Sequence, residues 1–135
     1  MISKGLSNKP FIQKGDLMSI EKFLTPEYTA DENTRSEIED LHKAGQSLTG
    51  IQLKYADMSN IKLVNADLSN TDLTRADFTG ASLFGVNLEG AKLFKTNFEG
   101  ANLKSANLKK CDMLGADFTN TKLNNVEWGH ESKVV

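Results

Sequence analysis

The stretch Ala66-Asp67-Leu68-Ser69-Asn70-Thr71-Asp72-Leu73-Thr74-Arg75-Ala76-Asp77-Phe78-Thr79-Gly80 decides the fold of this chain. It reads as three five-residue units, each a small residue, an aspartate, a large apolar residue and two polar or charged positions. Extended in both directions, the register holds without an insertion. The large position runs Leu48, Leu53, Met58, Leu63, Leu68, Leu73, Phe78, Leu83, Leu88, Leu93, Phe98, Leu103, Leu108, Met113, Phe118, Leu123 and Trp128, seventeen consecutive matches. Two residues before each from Leu53 onward stands a small or β-branched residue, from Ile51 and Ala56 through Cys111 to Val126. Between them the residue is polar, mostly Asp or Asn. In, out, in is the alternation of extended backbone.

The last position of the unit is Gly or Asn in eleven of sixteen units. Those residues accept the positive φ that a type II turn requires. A short strand and a tight corner every five residues exclude an α-helix, whose 3.6-residue period would smear the apolar groups around its circumference. The chain closes into a coil if each unit forms one side. Phe78, Phe98 and Phe118 fall twenty residues apart, with Met58 before them, so four sides per coil stack these groups in one interior column. With coils roughly 4.8 Å apart, the shaft is about 20 Å tall.

Units such as Ala66-Asp67-Leu68-Ser69-Asn70, Ala76-Asp77-Phe78-Thr79-Gly80 and Ala101-Asn102-Leu103-Lys104-Ser105 resemble the pentapeptide-repeat family and its A-[DN]-L-x-x pattern. The resemblance runs from Gln46 to Trp128. It implies an all-β solenoid, a right-handed quadrilateral β-helix of about four coils. Departures are mild: Ile51, Ile61, Val86 and Val126 at the small position, Lys62, Lys92 and Lys122 at the polar one. The bulkier residues are expected to distort a corner locally without breaking the coil. The family's better-understood members resemble duplex DNA in size and charge and protect type II topoisomerases from inhibitors, so the resemblance implies binding and protection of DNA gyrase as an alternative function.

Four segments follow. Residues 1–15 read as a flexible arm with three lysines. Residues 16–45 read as a helical N-terminal segment and cap, with eight acids and three bases. A short helix over Asp16–Leu24 is expected to stop near Pro26, because proline breaks helices. A second, capped by Thr29 or Asp31, carries an Ile38, Leu41, Ala44 stripe over the first coil and ends at Gly45. Residues 46–128 form the β-helix and 129–135 a tail. With no lid expected after Trp128, the last coil is predicted to pair end to end with a second copy through Met113, Phe118, Leu123, Val126 and Trp128. Alternatively, Trp128 and the tail fold across that end.

Four units per coil also assign every outward side chain to a face. One face carries Asp57, Asp77, Glu99 and Asp117 and no base; its neighbour carries Lys62, Lys104 and Lys122 and no acid. A third mixes Lys54, Arg75, Lys92 and Lys95 with Asp72 and Asp112. Over the shaft nine acids balance nine bases. Apolar residues break the polar outer surface in two columns: Phe94 and Leu114, with Tyr55 nearby, on the mixed face, and Val64 and Phe84 on the basic face. With Tyr55, Arg75, Lys92 and Lys95 around the first pair and lysines around the second, these stacked apolar groups are the candidate sites for a protein partner. Alternatively, residues 1–28 fold back over one pair.

Nothing in the chain reads as catalytic or as a cofactor or metal site. His42 is expected to be solvated on the second helix and His130 to lie in the tail, neither at ligand or triad spacing. Cys111 is expected to be a buried, inert thiol. A formal charge of −2 does not suit direct nucleic-acid binding, and a long acidic rod is missing for DNA mimicry. One cysteine permits no internal disulfide, and no apolar run is long enough for a signal peptide or a membrane span. The expectation is a cytoplasmic bacterial protein that binds another protein and catalyses nothing.

Overall fold

The computed structural model describes residues 20–129; the arm over 1–15, the start of the first expected helix and His130 with the rest of the tail lie outside them. From Leu48 onward the backbone winds into a β-helix. Parallel bridges pair the middle residue of each unit with the one twenty further on, from Gln52 with Asp72 to Asn107 with Glu127. Each unit adds three bonds between coils. Leu53 N–H donates to Asp72 O (2.8 Å), Tyr55 N–H to Thr74 O (2.9 Å), and Asp72 N–H back to Ile51 O (3.1 Å).

The corners follow from the sequence, then go beyond it. At most of them the small residue's N–H donates to the carbonyl of the large residue three before it, as in Ala76 to Leu73 (2.9 Å). The residue before the small one sits at positive φ at all sixteen corners, including Tyr55, Arg75, Lys95, Ser105 and Lys110. Stacked coils impose one corner geometry whatever side chain stands there. At alanine corners the closing bond is 2.9–3.1 Å, but it lengthens to 3.4 Å at Ile51, 3.2 Å at Ile61 and 3.3 Å at Val126. At Val86 it stays at 3.1 Å, so three of the four bulkier residues loosen the corner locally and the coil continues.

The Asp and Asn of the second position lock the same corners. Their side-chain oxygens accept the backbone N–H two residues on, an Asx turn, as in Asp77 with Thr79 (2.9 Å) and Asn102 with Lys104 (3.0 Å). That is why the repeat prefers Asp or Asn there and not simply a polar residue. Inside, the coil is filled. Phe78, Phe98 and Phe118 stack at 5.6 and 5.4 Å between ring centres, with Met58 buried at the bottom of their column. The buried polar groups bond to carbonyls: Thr71 to Leu68 O, Thr96 to Leu73 O (both 2.7 Å) and Cys111 Sγ to Leu88 O (2.9 Å).

Residues 20–23 form a helical turn, and α1 spans Thr34–Lys43. The helix starts at Asn33, later than Thr29 or Asp31, because Asp31 is occupied in a turn: its Oδ1 accepts Asn33 N–H (2.8 Å) while its own N–H donates to Thr34 Oγ1 (2.8 Å). The buried stripe is accordingly Thr34, Ile38 and Leu41, with Ala44 only half-buried. Gly45, at φ +81°, ends the helix. Its N–H reaches His42 O and that of Gln46 reaches Leu41 O, the paired bonds of a Schellman motif.

This segment also meets the edge of the first coil, where no earlier coil supplies partners. Phe23 is fully buried and its carbonyl accepts Gln52 N–H (2.6 Å). The Glu39 carboxylate accepts Lys62 N–H (2.9 Å). Arg35 Nη1 donates to Ser59 O (2.9 Å), and His42 Nε2 bonds Val64 O at 3.0 Å. A carbonyl only accepts, so Nε2 carries the proton. The solvated His42 expected from the sequence is corrected: the imidazole pins α1 to the first coil. Lys22 bridges to Glu37 at 3.1 Å, tying the first helical turn to α1.

Candidate functional site

A five-residue period leaves two outward positions per unit beside each corner, and the twenty-residue coil lines them up in columns. One corner presents positions 54, 74, 94 and 114 beside 55, 75, 95 and 115. Arg75 N–H donates to Phe94 O and Lys95 N–H to Leu114 O, both at 2.9 Å, so these residues occupy successive coils of a single edge. Tyr55 is 70% exposed and Leu114 43%. Phe94 differs from its expected exposure: it is half-buried, with the Arg75 guanidinium 5.9 Å and the Lys95 ammonium 5.3 Å from its ring centre. Cations over an aromatic face are attracted by its quadrupole. Lys92 stands outside this cluster at the polar position of the side, its N–H bonded to Thr71 O.

The second column, Val64 and Phe84, keeps both side chains exposed, at 43% and 42%. The described part of residues 1–28 reaches the N-terminal end of the first column, where Pro26, Glu27 and Tyr28, with Thr29 and Ala30, line a depression of about 310 Å³ beside Lys54 and Tyr55. At the C-terminal end the five expected interface residues separate. Met113 is sealed inside the chain, while Phe118, Leu123 and Val126 are half-buried and Trp128 is exposed. Trp128 packs edge-on against Phe118, 6.1 Å between ring centres.

Electrostatically the acidic face is tied to its corners. Asp57 is held below the usual carboxylate range by the side-chain and backbone bonds from Ser59, with Arg35 nearby adding to the effect. Asp117 is lowered by the same pair of bonds from Thr119. Burial pushes the Cys111 thiol up to about 12, which keeps it protonated and unreactive. Among the described residues no group of His, Cys, Asp and Glu is placed to hold a metal ion, and no helix is long and apolar enough to cross a membrane.

The family model for pentapeptide repeats matches residues 51–90 and 87–125, in eight copies. The chain belongs to the pentapeptide-repeat family. Among solved structures it is similar to Rfr23 from the cyanobacterium Cyanothece 51142, at 37% identity and a TM-score of 0.63 over 64% of this chain. It spans 59% of that protein's length. It is also similar to the pentapeptide-repeat protein alr5209 from Nostoc PCC 7120, at 25% identity and a TM-score of 0.63, covering 78% of this chain and 88% of that one. These neighbours make the solenoid a right-handed β-helix. QnrB1, a plasmid-mediated fluoroquinolone resistance protein, matches at 22% identity over 67% of this chain and 56% of its own, with a TM-score of 0.38, too distant to support an argument about function. No curated protein matches the chain.

Proposed function

We propose that this pentapeptide-repeat protein is a non-catalytic scaffold of the cytoplasm that binds another protein through the outer columns of its quadrilateral coil. The observation that carries the reading is the placement of apolar side chains. The interior is filled from Met58 to Phe118, yet Tyr55, Val64, Phe84 and Leu114 are spent on the outside, in columns where a packed shaft needs only polar residues. Stacked exposed apolar groups framed by cations mark interaction surfaces more often than solubility permits by accident. In this reading residues 20–45 act as a helical plug for the first coil, and Phe118, Leu123, Val126 and Trp128 pair with a second copy at the other end.

DNA mimicry with protection of gyrase is the weaker alternative. A mimic needs a continuous negative track, whereas acids and bases balance along this shaft. Affinity capture from cells with wild type, Phe94→Asp and Phe84→Asp tests the scaffold: loss of a partner with either variant supports it, and identical recoveries with both refute it. A gyrase supercoiling assay with a quinolone supports the alternative if micromolar protein inhibits or protects the enzyme. Sedimentation at high micromolar concentration tests the homodimer, and a monomeric mass removes it.

A further inference from the structure

We propose that the corner edge built by Lys54, Tyr55, Arg75, Phe94, Lys95 and Leu114 takes hold of an acidic, aromatic-bearing protein segment laid along the coil axis. The proposal rests on the protein-binding reading above and narrows it to one column and one partner chemistry.

The fold accepts unusual backbone strain along this edge. All sixteen corners hold positive φ, and most are occupied by Gly or Asn, which tolerate it. At this corner the residues are Tyr55 (φ 62°), Arg75 (60°) and Lys95 (56°), with Gly115 last. No other corner carries three such residues; the corner beside Val64 and Phe84 reads Asn65, Gly85, Ser105 and Asn125. Bulky side chains in the left-handed region cost stability, and such costs gather at functional sites. Tyr55 returns little of that cost to the fold, being 70% exposed.

Charge selects the partner. The two columns of the edge carry Lys54, Arg75 and Lys95 and no acid, in a chain whose net charge is −2. Asp72 and Asp112 on the adjoining side face their own corners, accepting Thr74 N–H at 3.1 Å and Leu114 N–H at 3.4 Å, and Glu27 lines the depression at the N-terminal end of the edge. Arg75 and Lys95 each lie over the Phe94 ring, so an incoming carboxylate finds cations already positioned beside an apolar ring. Three cations are too few for a nucleic-acid track, whose affinity grows with the number of phosphates neutralised. They suit a few carboxylates in a peptide.

Shape completes the match. Tyr55 to Gly115 spans three coil steps, about 14 Å, the length of four or five extended residues. At its N-terminal end the edge runs into the depression beside Pro26–Ala30, which has room for one large side chain. At the same end of the Val64 and Phe84 column, His42 Nε2 bonds the Val64 carbonyl.

The test uses the full chain and fluorescence anisotropy with three labelled probes: a random glutamate–tyrosine copolymer, a glutamate–alanine copolymer and a short DNA duplex. The expected result is that the tyrosine copolymer binds about tenfold more tightly than the other two. Arg75→Gly with Lys95→Gly weakens it about tenfold, while the thermal midpoint holds or rises because two strained corners are relieved. Arg75→Lys with Lys95→Arg retains binding. Lys104→Ser with Lys122→Ser, on the neighbouring face, changes it less than about twofold. Equal weakening by both pairs, tighter binding of DNA, or no binding by a folded chain overturns the proposal. If Phe84→Asp still abolishes capture of a cellular partner, only this edge is wrong and the scaffold reading stands. If neither column variant alters capture, the scaffold reading falls with it.

Discussion

Phe98→Ala should be the most informative lesion in the coil. Phe98 is fully buried, and its ring lies between Phe78 at 5.6 Å and Phe118 at 5.4 Å, tilted by only 19° and 9°. Truncating a buried phenylalanine costs about 3–5 kcal/mol. Because both ring faces lose an aromatic partner, and ring pairs contribute beyond their area, the loss is expected at the upper end, about 4–5 kcal/mol. Phe98→Leu keeps much of the volume and should cost about 1–2 kcal/mol. Coils in a solenoid contact only their neighbours, so the break should release the C-terminal coil first. Trp128, edge-on to Phe118, reports that release. Urea unfolding followed by tryptophan fluorescence and far-ultraviolet circular dichroism should therefore show the fluorescence midpoint falling below the dichroism midpoint in Phe98→Ala. A loss under about 2 kcal/mol, or equal losses for both variants, would refute the stacked-column account.

Further outcomes follow from other parts of the coil. Cys111, with its thiol pushed up to about 12, should resist iodoacetamide at pH 8 in the folded chain and react promptly in denaturant; rapid labelling of the native protein contradicts its burial. Asp57 and Asp117 have folded pKa values below their unfolded ones, so their contribution is present above the unfolded value of about 3.9 and is lost as pH falls through the lower folded values. Thermal midpoints should thus hold from neutral pH to about 5 and drop below about 4, with a shallower drop in the double Asn variant; an unchanged acid limb refutes the Asx assignment. Gly85→Ala places a Cβ against the Asn65 side chain at φ +69° and should cost about 1–2 kcal/mol in chemical unfolding; a neutral result denies that the corner geometry is imposed. Glu39→Ala leaves the Lys62 N–H at the coil edge without its carboxylate and should lower stability by about 1 kcal/mol and speed proteolysis of residues 20–45, and unchanged proteolysis argues that the edge needs no such cover.

The coil was legible because its information is local and periodic. Five-residue spacing, the in–out–in pattern and the twenty-residue separation of Phe78, Phe98 and Phe118 fall within reach of simple geometry. They determine the strands, the core and four sides per coil before any contact is known. The candidate surface was legible only as a set of columns. That Phe94 lies half-buried against Arg75 and Lys95 depends on the paths of long, flexible side chains, which periodicity does not specify.

Three things were decided by tertiary structure. Tyr55, Arg75 and Lys95 adopt positive φ against their own preference because hydrogen bonds from the adjoining coils hold each corner in register. His42, Glu39, Arg35 and Phe23 meet the edge of the first coil through contacts as much as 29 residues apart, as between Phe23 and Gln52; no local pattern announces them. Asp31 turns before α1 instead of capping it, since Thr34 and Tyr28 lie close enough to share its bonds (Tyr28 Oη to Thr34 Oγ1, 2.6 Å). The repeat determines by itself how the chain winds, because each unit carries its own strand and corner. Where the winding begins, and which strained corner the molecule presents to a partner, depend on residues distant in sequence that only the folded chain brings together.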